Sequence, residues 1–147
     1  MVKKGINYLL FSLFVCLVVT VQGQESLKSP SEFFGYEYGT QMPTFMEINQ
    51  YFHYLADNSS QAVLIQYGQT YERRPLVSLI LSSEANLSKL ETIRENHIKG
   101  MWENVKSSEN DPLVLWLSYG VHGNEAGATS TAPEAAYQFL TSEKELL

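Results

Sequence analysis

Leu113-Val-Leu-Trp-Leu-Ser-Tyr-Gly-Val-His-Gly-Asn-Glu125 is an apolar run that ends at glycines and then presents a histidine and a carboxylate three residues apart. Residues 113–119 are apolar or nearly so, which suits a strand covered on both faces and predicts a central position in a sheet. Gly120 and Gly123 let the backbone turn sharply after it, and sites in α/β proteins concentrate where a strand gives way to such a loop. His122 and Glu125 lie in that loop. An imidazole nitrogen and a carboxylate are both zinc donors, and a catalytic zinc takes three protein ligands and keeps one position for water. The stretch supplies two of the three, with side chains expected to converge so that one ion could lie about 2.0–2.2 Å from both. The structural alternative is that Glu125 caps the following turn while His122 packs beneath the loop.

The flanking segments supply the rest of an α/β pattern. Thr44 and Glu47 form a capping box, and Phe45, Ile48, Phe52 and Leu55 follow at helical spacing, predicting a helix over 44–57. Residues 62–67 and 76–81 have the β-branched and aromatic content of strands, joined as an antiparallel hairpin through 68–75. Leu87, Leu90, Ile93 and Ile98 mark an amphipathic surface helix within 86–99, and the polar 106–112 loop leads into the central strand. Thr131 and Glu134 form a second capping box. With Pro133 tolerable only in a first turn, a helix should begin, or begin again, near residue 131. Pro30, Gly35 and Gly39 limit regular structure in 24–38, which reads as an extended arm. The expected fold is α/β, a mixed parallel and antiparallel sheet flanked by helices.

Of the other polar candidates, His53 sits beside an apolar helical stripe and His97 on the amphipathic helix, where packing or solvent exposure is the ordinary role. Arg73 and Arg74 lie in the hairpin connection. One of them could bind a substrate carboxylate, but solvated arginines are the simpler reading.

At 147 residues with 44% hydrophobic and 18% charged content, the chain has the composition of one folded domain and excludes a disordered tail. Lys3 and Lys4 precede an apolar stretch over 8–21, a secretory signal peptide pattern with the mature start placed at Gln24. The stretch is short for a bilayer span of roughly 20 residues, so cleavage is preferred over an uncleaved anchor and no stable membrane span should remain. Cys16, the only cysteine, leaves with the leader, and the mature chain must rest on its core alone. Loss of Lys3 and Lys4, with no acid among residues 1–23, takes the formal charge from −6 to −8, which disfavours nucleic acid as a partner.

His122-Gly-Asn-Glu125, following a hydrophobic strand that ends Ser118-Tyr-Gly-Val121, resembles the first zinc-ligand motif of the zinc carboxypeptidase family, the carboxypeptidase A-like metallopeptidases. Tyr67-Gly-Gln-Thr-Tyr-Glu-Arg-Arg-Pro-Leu76 resembles that family's early hairpin turn, and the resemblance runs from about Met42 onward. It implies a carboxypeptidase-like fold of which residues 24–147 are the N-terminal portion, incomplete in this chain, and an exported (extracellular or periplasmic) zinc metallocarboxypeptidase. In that chemistry zinc acts as a Lewis acid on the scissile carbonyl, and a separate carboxylate takes the water's proton. The family's second histidine, its base, its substrate-carboxylate arginine and its mobile tyrosine all follow the motif, so the resemblance assigns none of them here. Asn124 departs from the carboxypeptidase A pattern, which has arginine there. The His-Gly-Asn-Glu version occurs in branches that act on other peptide ends or on cell-wall peptides, so the implied substrate is a peptide or cell-wall peptide. Two readings from other classes stand beside this one: an exported non-catalytic binding module with an incomplete metal site, and a small self-contained domain of unrelated function.

Overall fold

The computed structural model describes residues 26–103 and 111–142. The leader and most of the 106–112 loop lie outside the described residues. In chain order the elements are α1 (Pro30–Phe34), α2 (Phe45–Asn58), β1 (Ala62–Gln69), β2 (Pro75–Leu81), α3 (Glu84–Leu87), α4 (Leu90–Trp102) and α5 (Ala126–Thr141).

The predicted first long helix is α2, and its start has a local cause. The Thr44 hydroxyl accepts the Glu47 N–H at 3.3 Å, while the Glu47 carboxylate accepts the Thr44 N–H at 2.6 Å. The backbone bond first, and the side-chain bond second, hold the Glu47 carboxyl below its ordinary pKa. Ile48, Tyr51 and Leu55 form the buried stripe. β1 and β2 pair antiparallel as expected, with Val63 opposite Ile80 and Leu64 opposite Leu79, and the register shifts between Gln66 and Gly68.

The core lies where α2, α1, α5 and β2 meet. Tyr51, Leu55 and Ala136 are buried at its centre, and Leu27, Phe33, Phe34, Leu79, Leu81, Tyr137 and Leu140 pack around them. Phe33 sits 5.0 Å from Tyr51 and 5.1 Å from Tyr54, ring centre to ring centre, a spacing at which tilted aromatic pairs attract beyond their burial. Leu55 is 0% exposed. Leu55→Ala is expected to lower the unfolding free energy by about 2–5 kcal/mol, measured by urea denaturation.

Four expectations need correction. The 24–38 arm is not simply extended: Ser29 and Glu32 form a capping box and start α1, with Pro30 at its first turn and fully buried. The surface helix is two helices, because the chain breaks at Ser88 and Lys89 between α3 and α4. The last helix begins at Ala126, five residues before the proposed Thr131 cap, and carries Pro133 inside it. The Thr131 hydroxyl donates back to the Gly127 and Ala128 carbonyls, at 3.1 and 2.8 Å, so it serves a turn already formed. Finally, 113–119 is no strand among the described residues. The sheet there has two strands, β1 and β2, and the segment runs outside it. Leu113 is 94% and Trp116 74% exposed. Apolar character marks a segment that can be buried, but a ladder also needs a neighbouring edge, and among the described residues none lies alongside. Helices with a two-stranded antiparallel sheet are compatible with the α/β class. No helix among the described residues is long and apolar enough to cross a membrane.

Candidate functional site

The loop between residue 119 and α5 is shaped by one glycine. Gly120 has a φ of +70°, where L side chains are strained, and a Cβ there would lie 3.0 Å from the Thr129 hydroxyl on the first half of α5. The absent side chain therefore lets the loop lie against the helix. Gly120→Ala is expected to destabilise the protein by about 1–2 kcal/mol from backbone strain alone, and to broaden or shift the NMR signals of His122 and Glu125. Unchanged stability and unchanged shifts would show that the loop does not depend on this contact.

Past Gly120 the chain makes a tight turn in which the Glu125 N–H donates to the His122 carbonyl at 3.1 Å, and the Ala128 N–H then donates to the Glu125 carbonyl at 3.2 Å, starting α5. A turn of this span brings its first and last side chains to one side. His122 Nδ1 and Glu125 Oε1 are 3.0 Å apart, and their side chains are 66% and 57% exposed. The two predicted residues thus converge at the surface. Neither feature of the structural alternative is present: Glu125 occupies the N-cap position of α5 without a side-chain capping bond, and His122 is exposed.

The remaining candidates stay apart. His53 and His97 are exposed on α2 and α4, and among the described residues no three His, Cys, Asp or Glu side chains gather as a metal-binding group. Arg74 pairs with Glu72 at 2.7 Å within the hairpin turn, both exposed, in line with a structural role there. Arg73 closes that turn at a φ of +64°, its N–H donating to the Thr70 carbonyl at 2.9 Å. Asn124 is exposed between the two converging residues. No sequence signal marks Thr129. Its contact with Gly120 joins positions nine residues apart through a bend, and no spacing rule signals such a contact.

Compared with known proteins, residues 48–146 match the family model described as Zinc carboxypeptidase. No curated protein and no solved structure matches the chain. The matched span takes in most of α2, the hairpin, the apolar 113–119 segment and the His122–Glu125 turn, and so includes both the hairpin turn and the motif that carry the resemblance in the sequence. Because the match covers about two-thirds of its residues and includes both His122 and Glu125, the chain belongs to the zinc carboxypeptidase family.

Proposed function

We propose that the full-length protein is a zinc-dependent metallocarboxypeptidase-type hydrolase of peptides, exported to an extracellular or periplasmic compartment, in which His122 and Glu125 are the first two zinc ligands. The observation that carries this reading is the convergence of the two side chains, 3.0 Å between Nδ1 and Oε1, on an exposed turn inside the matched region. Two donors bound near 2.0–2.1 Å to one tetrahedral ion stand about 3.3 Å apart, so the pair fits the group with a shift of a few tenths of an ångström. Their chemistry, one imidazole and one carboxylate, is that of a hydrolytic zinc site.

When bound, zinc supplies Lewis acidity toward a carbonyl and makes water a stronger acid. The work of the chain's own residues is to hold and aim. Gly120 and the His122–Glu125 turn present both donors toward solvent, where a peptide can approach, and α5 fixes the backbone directly after Glu125. A third ligand and a proton-accepting carboxylate come from outside this pair, since no such group gathers among the described residues. The apolar 113–119 segment takes its place in a mixed sheet of the completed domain, which covers side chains that otherwise face water.

The test is metal dependence. Purified full-length protein is expected to hold one zinc per chain, to lose peptide hydrolysis on treatment with a chelator, and to regain it with added zinc. Activity that persists after the metal is stripped would overturn the reading. The same absence of a third gathered ligand favours one other reading, an exported binding module that retains a ligand without turnover. Zinc binding with no hydrolysis of any peptide by the full-length protein would select it.

A further inference from the structure

The segment before the matched region is built into the fold at several points. Two tyrosines of α2 grip one residue of it: the Tyr51 hydroxyl donates to the Lys28 carbonyl at 2.8 Å, and the Lys28 N–H donates to the Tyr54 hydroxyl at 2.8 Å. Both backbone groups of Lys28 are thereby satisfied by α2, and the chain entering α1 is held in one position. Pro30 is fully buried, and Leu27, Phe33 and Phe34 pack on the cluster formed by Tyr51, Leu55 and Ala136. The segment then turns at Tyr38, whose N–H donates to the Ser31 hydroxyl at 3.0 Å. The Tyr38 hydroxyl is enclosed beside the backbone of Glu134 in α5, without a hydrogen bond of normal geometry.

What these contacts hold in place is α5. The helix starts directly after Glu125, and its buried anchors are Ala132, Pro133 and Ala136. α1 touches both α2 and α5, so the segment lies against the pair rather than on one helix alone. Pro133 lacks the N–H that would bond the Thr129 carbonyl, but α5 runs through it without a break, so the first turns still move with the anchored remainder. The first turns carry Thr129, which meets the Gly120 bend, and they follow Glu125. Any tilt of α5 is therefore passed to the His122–Glu125 turn at its start.

We propose that residues 27–38 are a positioning strap, which sets α5 against α2 and thereby fixes the direction of Glu125. Tyr51, Tyr54, Phe33 and Phe34 are positioning residues in this scheme. The catalytic consequence rests on the zinc reading above, while the mechanical one does not.

Two variants of the full-length protein test it. Tyr51→Phe with Tyr54→Phe removes only the two hydroxyls at Lys28 and leaves the rings packed. Phe33→Ala with Phe34→Ala removes the strap's apolar hold. Hydrogen exchange of residues 129–132 is read against that of the 62–81 hairpin, with zinc affinity and kcat and KM measured on the same samples. At least one variant is expected to speed exchange in 129–132 with the hairpin unchanged, and to weaken zinc binding and lower kcat on the order of tenfold with little change in KM, within the roughly 10²-fold that ångström-scale misplacement can cost. Exchange in 129–132 that is unchanged in both variants, or that rises together with the hairpin, would overturn the strap. If the unsubstituted protein binds no zinc and hydrolyses nothing, the zinc reading fails, and the exchange measurement alone still decides whether the strap holds α5.

Discussion

His122→Ala or Glu125→Gln in the full-length protein is expected to reduce kcat/KM for peptide hydrolysis by about 10³-fold, since a catalytic metal contributes several kcal/mol of transition-state stabilisation and each 1.36 kcal/mol is tenfold in rate. Each substitution removes one donor from the pair that stands 3.0 Å apart. The imidazole is lost outright in the first, and in the second the anionic oxygen becomes a neutral amide, which binds zinc poorly. Zinc content should fall with activity in both, and this separates loss of a ligand from loss of a residue that only contacts substrate. Both side chains are largely exposed, so neither substitution opens a cavity, and the thermal midpoint of the metal-free protein should hold. His53→Ala and His97→Ala serve as controls. Both residues are exposed on helices and join no metal-binding group among the described residues, and both variants should keep zinc and activity. A full loss on replacing either one would mean that it completes the shell, and would move the site.

Residues 24–147 expressed alone should bind zinc weakly, hydrolyse no peptide and aggregate. A complete structural zinc shell is worth about 10–16 kcal/mol at neutral pH. If two donors supply roughly half of that, the dissociation constant is about 1 μM or weaker. Among the described residues no third His, Cys, Asp or Glu joins the pair in a metal-binding group, so no second carboxylate is gathered there to take a proton from water. Aggregation follows from the 113–121 segment, where Leu115 is 69% and Trp116 74% exposed outside the β1–β2 sheet. Such a segment is a ready template for pairing with another copy. Leu115→Lys should raise the soluble fraction measured by light scattering. A monomeric 24–147 that held one zinc tightly and released amino acids from peptide ends would refute both the ligand count and the exposure argument.

The features that could be read from the sequence are those whose causes lie within a few residues. Thr44 and Glu47 satisfy each other's backbone N–H groups across three positions, so the start of α2 is visible without any tertiary information. The hairpin is visible for a related reason: two strand-like segments joined by a short turn meet their hydrogen-bonding partners locally. The convergence of His122 and Glu125 belongs to the same class, because a single backbone bond across the turn brings the side chains together. Tertiary structure decided the rest. α1 is divided between the two: the Ser29–Glu32 capping box that starts it is a local signal the reading as an arm missed, while its hold on the fold comes from Phe33 and Phe34 packing on the Tyr51 cluster. α5 runs through Pro133 because Ala132, Pro133 and Ala136 are buried, and that burial outweighs the one hydrogen bond proline removes. The 113–119 segment shows the opposite limit. Its composition marks it for burial, but a strand is made by the edge it pairs with, and no run of side chains carries that edge within itself.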